Sequence, residues 1–314
     1  MPNDYEDSSA AFLKAIGLLD PVDPRTGGIK QFRDHSSRLM IEHTTDVPSG
    51  VTISSLEIPG RNGQIPIRTY SCSGVNEARP VVVYLHGGAW AIGSLEDYDG
   101  VCGYLARGGD VVVVSVDYRL APENKFPKAV EDSCDAVSWV AGCLASLGGD
   151  PEKLAIAGDS AGGNLAAVVC QQARKMTRLN IQRQLLFYPC LAPLSHDHYP
   201  SRRAFGGPGN FLNEASLEYM LELYRRTPKD DADPRLWPLL DRELSGLPEA
   251  YIVTAEFDML RDEAMVYAEE LAKAGVTVKT REYARTIHGF MGFAGTINPG
   301  RAALDDVCAY LREW

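Results

Sequence analysis

From residue 80 onward the chain repeats one pattern, a short run of apolar, mostly β-branched or aromatic residues followed by a stretch with apolar residues at helical spacing. The runs occupy residues 81–85, 111–116, 154–157, 185–188, 251–255 and 276–283. A run that is apolar throughout is buried on both faces, and runs separated by helices assemble into a mostly parallel sheet covered on both sides. In such sheets ligands bind beyond the carboxyl ends of the strands. The pattern therefore predicts an α/β fold and says where its chemistry should lie.

Ahead of this region, Val51, Ile53, Leu56 and Ile58 lead into Gly60-Arg61-Asn62-Gly63 and then Ile65, Ile67 and Tyr70. This spacing predicts an antiparallel hairpin around an Asn-Gly turn at a sheet edge, where Pro66 is tolerated. Helical patterns at 11–19 and 31–41 come earlier still, separated by a loop with Pro21, Pro24, Gly27 and Gly28. Between Leu191 and about Leu247 no strand pattern appears. That segment holds Pro193, His196, His198, Pro200, Gly206 to Gly209 and a helix from about Asn213 to Arg226. Insertions of this length in compact domains are usually functional. With the two leading helices it predicts a lid, giving N-terminal cap helices at 1–45, catalytic core at 46–190 and 248–314, and a cap insertion at 191–247.

The net charge of −11 argues against a nucleic-acid or anionic-membrane partner, since the summed field repels both. The first ten residues are acidic and polar, without the basic start and apolar run of a secretory signal, and no apolar stretch approaches the roughly 20 residues needed to span a bilayer. Seven cysteines scattered from Cys72 to Cys308 have no paired short spacing, which predicts neither a zinc site nor a disulfide framework. A cytoplasmic protein without metal or cofactor is the expectation.

The chemistry centres on Gly158-Asp159-Ser160-Ala161-Gly162-Gly163-Asn164, which follows the 154–157 run and precedes Leu165, Val168, Val169 and Met176 at helical spacing. Ser160 thus sits where a strand turns into a helix, its hydroxyl held up at the sheet's carboxyl edge and the helix's positive end aimed at the same point. A serine nucleophile needs a base. Downstream lie His196 and His198, within the expected lid, and His288, which follows the 276–283 run. Position favours His288. An acid must hold that imidazole in one tautomer. Asp258, just after the 251–255 run, is preferred, with Glu256 and Asp262 as competitors. Backbone donors for an oxyanion would come from Ala161, immediately after the serine, and from His86-Gly87-Gly88-Ala89-Trp90 after the 81–85 run.

Taken together, His86-Gly87-Gly88-Ala89, Asp117-Tyr118-Arg119-Leu120-Ala121-Pro122-Glu123, the Ser160 turn, Asp258 with Arg261-Asp262-Glu263, and His288-Gly289-Phe290 resemble the bacterial hormone-sensitive-lipase-like esterases, the family IV branch of the α/β-hydrolases. The resemblance implies an α/β-hydrolase fold with a helical cap and a serine carboxylesterase acting on short- to medium-chain acyl esters. It makes Ser160, Asp258 and His288 the triad and puts Gly87, Gly88 and Ala161 in the oxyanion-hole motifs. It also implies pairing of two copies through an edge strand. Ala89, Trp90, Asp159, Phe211 and Trp237 are the residues expected against the substrate. Ala89 replaces the family's usual third glycine, which it can do if its φ is negative. Trp237 stands where a small residue is expected and would narrow the acyl pocket toward four to six carbons. Residues 117–123 are expected to brace the loop behind the site rather than touch substrate. Two other readings share the fold, a ligand-binding receptor similar to the plant gibberellin receptors, which lack the catalytic histidine, and an amidase or peptidase on the same triad.

Overall fold

The computed structural model describes residues 4–17, 24–72, 77–174, 179–195 and 199–314, with backbone alone at 24–27. His196, His198 and Met176 lie outside the described residues. In chain order the elements are α1 (Asp7–Gly17), α2 (Pro24–His43), β1 (Val51–Gly60), β2 (Gly63–Cys72), β3 (Arg79–Leu85), α3 (Asp99–Gly109), β4 (Val112–Val116), α4 (Lys128–Cys143), β5 (Gly149–Asp159), α5 (Ala161–Ala173), β6 (Arg183–Phe187), α6 (Pro200–Phe205), α7 (Glu214–Tyr224), β7 (Glu249–Phe257), α8 (Arg261–Lys273), β8 (Val278–Ile287) and α9 (Asn298–Arg312).

Among the described residues one sheet of eight strands runs in the order β1-β2-β4-β3-β5-β6-β7-β8. The first two junctions are antiparallel and the remaining five parallel. Alternation along β3 divides its side chains between two cores. Val81, Val83 and Leu85 pack with α4 and α5, whereas Val82 and Tyr84 pack with α3 and α9. Both faces of the central strands are thus apolar and covered, whereas the run predicted at 276–283, which carries Lys279, Arg281 and Glu282, belongs to the outermost strand β8 and is largely exposed.

Three local expectations need correction. The hairpin turns on Arg61-Asn62, with Gly60 opposite Gly63, and its outer strand is β1. Pro66 lies in β2, one strand in, just beyond the β2–β4 ladder that begins at Ile67, so its missing N–H interrupts no pairing there. The loop predicted around Pro24, Gly27 and Gly28 is instead the start of α2, broken at Gly28, whose φ of 77° is a conformation that glycine adopts without a Cβ penalty. β5 begins at Gly149, five residues before the apolar run, because Gly149 pairs with Arg79 across a register shift.

The insertion is fastened to the core by a buried ion pair. Arg202 of α6 pairs with Glu263 of α8, and both side chains are almost wholly buried. Glu263 also accepts from the amides of Leu191 (2.6 Å) and Ala192 (3.2 Å), while Arg202 donates to the carbonyls of Pro193 and Ala192. The lone pairs and protons that burial would leave unmet are therefore satisfied, the condition under which a buried pair is tolerated. On the other side of the cap, Arg33 of α2 donates to the carbonyls of Ala91 and Ala121 and to Glu123.

Candidate active site

Ser160 joins β5 to α5 with φ 53° and ψ −117°, a strained backbone for any residue with a side chain. The chain is forced into it by a close approach. A Cβ on Gly162 would collide with the carbonyl oxygens of Leu85 and His86, and one on Gly158 with the backbone of Gly162. The amide of Ser160 donates to Phe187 O (2.8 Å), and its carbonyl accepts from Asn164 N (3.0 Å) and Cys190 N (3.3 Å). The turn is thereby held from both neighbouring elements.

His288 comes from the end of β8 and bridges the two other predicted groups. Its Nε2 lies 2.9 Å from Ser160 Oγ and its Nδ1 lies 2.7 Å from Asp258 Oδ2. Asp258 is buried, and its other oxygen accepts from Leu260 N (2.9 Å). This geometry needs the tautomer protonated at Nδ1, which leaves Nε2 free to take the serine proton. Tyr188 packs its ring edge-on to the imidazole, 5.0 Å between centroids. The competing acids sit elsewhere. Glu256 accepts from the Arg285 amide, and Asp262 from the Ser201 amide.

The glycine loop after β3 departs from expectation in a way that changes which donors are available. Gly87 N donates to Asp159 Oδ1 (2.9 Å) and lies 3.0 Å from Tyr98 Oη, so its hydrogen is already committed. Among the described residues no such partner takes the amides of Gly88 or Ala89. Ala161 opens α5, where the helix offers its amide no acceptor. The free amides are thus those of Gly88, Ala89 and Ala161. Ala89 does not meet the condition of a negative φ. It stands at 48° and Trp90 at 59°, two successive left-handed residues, while a Cβ on Gly88 would strike the carbonyl of Ile92.

Asp159 is a brace. Its buried carboxylate accepts from Tyr84 Oη (2.9 Å), Tyr98 Oη (2.9 Å) and Gly87 N, tying the serine turn to the glycine loop. Below the loop, His86 stacks on Tyr118 at 4.3 Å, and Tyr118 Oη donates to His86 O (2.7 Å). Burial pulls the His86 imidazole down to about 4, so it stays neutral. Arg119 is paired with the buried Asp132. The 117–123 segment thus supports the loop from behind.

A cavity of about 710 Å³ opens over Ser160 and His288. Its roof comes from α1 and α2 (Leu13, Phe32, Leu39, Met40) and from residues 209–220 of the insertion, including Phe211 and Tyr219. Gly88, Ala89 and Phe293 line its base. Trp90 and Trp237 do not reach it. Both are 0% exposed, Trp90 stacked on Tyr224 at 4.9 Å and Trp237 set edge-on to Trp90 at 6.1 Å. The narrowing expected of Trp237 is therefore absent from this cavity. The positive φ at Trp90 turns its indole back into the core. Tyr199 and Phe205 of the insertion likewise pack away from the cavity, Phe205 against Phe257.

The buried Asp159 supplies a test of this network. Burial pushes its carboxyl up to about 6, against the three hydrogen bonds that pull it down. The ordinary value is about 3.9, so the folded chain keeps this proton over a range in which the unfolded chain has released it. As pH rises from about 4 to 6 the group therefore withdraws stability. Asp159→Asn should remove that slope, so that thermal midpoints of variant and wild type, compared at pH 4 and pH 7, move in the variant's favour at pH 7. A difference constant across the window would contradict the assignment.

Comparison with known proteins agrees with the geometry. Residues 82–292 match a family described by the alpha/beta hydrolase fold. The carboxylic ester hydrolase LipN of Mycobacterium tuberculosis is 40% identical over 270 residues, spanning 83% of this chain and 70% of LipN. The arylesterase of Saccharolobus solfataricus is 34% identical over 298 residues, 93% of each chain. Among solved structures, an ester-hydrolase from the metagenome of Lake Arreo superposes with a TM-score of 0.93 at 32% identity, covering 98% of both chains. With the serine turn, the His-Gly-Gly-Ala loop and the cap in these positions, the chain belongs to the hormone-sensitive-lipase-like carboxylesterases, the family IV branch of the α/β-hydrolases.

Proposed function

We propose that the chain hydrolyses short- to medium-chain acyl esters by an acyl-enzyme mechanism in which Ser160 is the nucleophile, His288 the base and Asp258 the orienting acid. The observation that carries this reading is the placement of His288, within hydrogen-bonding distance of Ser160 Oγ on one side and Asp258 on the other. Ser160 Oγ attacks the ester carbonyl as its proton passes to His288 Nε2, and Asp258 stabilises the imidazolium. The tetrahedral oxyanion is received by the amides of Gly88, Ala89 and Ala161, each such donor contributing about 3 kcal/mol. Collapse expels the alcohol with the proton from His288. Water then repeats the sequence on the acyl-enzyme and releases the acid. A receptor on this fold has no need of a base at hydrogen-bonding distance from its serine.

Asp258→Asn should lower kcat by roughly 10⁴-fold through loss of the correct tautomer, whereas Glu256→Gln should leave it within a fewfold of wild type. The reverse ranking would move the acid role to Glu256.

Substrate length follows from the roof. Each methylene contributes about 0.8 kcal/mol while it meets apolar wall and becomes a steric cost once the wall ends. The cavity's 710 Å³ must hold both acyl and alcohol parts beneath α1, α2 and Phe211. Measured as kcat/KM on p-nitrophenyl esters of two to sixteen carbons, activity should peak below eight. With Trp237 buried in the core, Trp237→Ala should destabilise the fold rather than lengthen the preferred chain. A maximum at twelve carbons or beyond would contradict the short-chain reading.

A further inference from the structure

The cavity over Ser160 is lined largely by apolar side chains, yet two carboxylates lie in its wall, Asp159 and Asp97. Asp159 is fully engaged by Tyr84, Tyr98 and the Gly87 amide. Asp97 differs. It lies in the short helical turn Glu96–Tyr98 that precedes α3, is 2% exposed, and accepts from Ser37 Oγ of α2 at 2.5 Å. The hydroxyl of Ser94 also lies against it. No cation pairs with it among the described residues, and Arg68 pairs instead with the flanking Glu96 and Asp99. A carboxylate withdrawn from water without a cationic partner is costly, and a ligand that brings the missing charge recovers that cost.

We propose that Asp97 is a specificity-determining residue that favours esters bearing a cationic ammonium group on the part of the substrate beneath α2. The inference rests on the ester-hydrolase reading above and names a substrate class for the same cavity. It explains why a buried acid is kept in an apolar wall next to the residue, Tyr98, that helps hold the serine turn. Ser37 fixes the rotamer of the carboxyl; burial raises its affinity for a proton against the hydrogen bonds of Ser37 and Ser94, and a cation seated beside it favours the charged form. The chain's net charge of −11 acts in the same direction by raising the local concentration of cationic substrates.

The test uses an isosteric pair, butyrylcholine and 3,3-dimethylbutyl butyrate, which differ by a quaternary nitrogen in place of a quaternary carbon. Acid release in a pH-stat gives kcat/KM for each. Wild type should favour the cationic ester by about tenfold or more, the size of one desolvated charge contact. Asp97→Asn, which keeps an acceptor for Ser37, should bring the ratio to near one by slowing the cationic ester alone. Ser37→Ala should leave the ratio within about twofold, since it removes the tether and not the charge. A wild-type ratio at or below one would overturn the proposal even if Asp97→Asn fails to fold. Equal losses on both esters in Asp97→Asn would overturn it as well, by assigning Asp97 to the cap contact. Should wild type hydrolyse neither ester, the ester-hydrolase reading falls and the role of Asp97 with it. Turnover of the neutral ester alone leaves that reading standing and removes only the cation preference.

Discussion

Everything in the site depends on one close approach of backbone to backbone. Gly162, at the start of α5, lies so near the carbonyl of Leu85, at the end of β3, that a methyl group at that position has no space. This contact draws the helix onto the sheet. It holds Ser160 at φ 53°, lifts its side chain beyond the carboxyl edge, and brings the glycine loop after β3 beside the serine turn after β5. The strain, of order 1–3 kcal/mol, is sustained by the ladder around it. β5 is paired on both sides, to β3 and β6, so the turn cannot relax without disturbing the middle of the sheet.

A second layer of the design is the division of labour among backbone amides. Gly87 and Ala161 look equivalent as donors when only sequence is considered, because each belongs to a glycine-rich motif at the end of a strand. In the structure Gly87 serves the architecture, donating to Asp159, while Gly88 and Ala89 are the amides left over. A donor already bonded in the resting protein offers little to a developing oxyanion, since its gain must be offset by the bond it gives up. Preorganisation of the free pair is obtained at the expense of left-handed backbone at Ala89 and Trp90. The indole of Trp90, turned inward by that backbone, packs with Tyr224 and Trp237 and fixes the loop from below.

Much of this was legible in the sequence. Apolar runs alternating with helical patterns read as parallel strands, and the order of serine, acid and histidine along them puts all three at the sheet's carboxyl edge, where Ser160, Asp258 and His288 in fact meet, although the strand before His288, β8, is the exposed edge of the sheet and not a buried one. What was not legible depends on tertiary pairing. Trp90 and Trp237 carry no periodic signal, and a bulky aromatic in a loop reads equally well as pocket wall or core. The occupancy of Gly87 requires Tyr84 and Tyr98 to converge on Asp159 from separate elements. The Arg202–Glu263 pair joins residues 61 positions apart, and neither local charge pattern nor spacing announces it. Asp97 is one acid among three in Glu96-Asp97-Tyr98-Asp99, and only its burial against α2 separates it from the other two.

The account's central claim is that His288 activates Ser160 as a covalent nucleophile. The most direct measurement is reaction with a fluorophosphonate followed by intact-mass and peptide mass spectrometry. One adduct per chain, located on Ser160 and lost in His288→Gln, is the result this mechanism predicts. A chain that stays unlabelled, carries the adduct on another residue, or labels equally fast without His288 would contradict it.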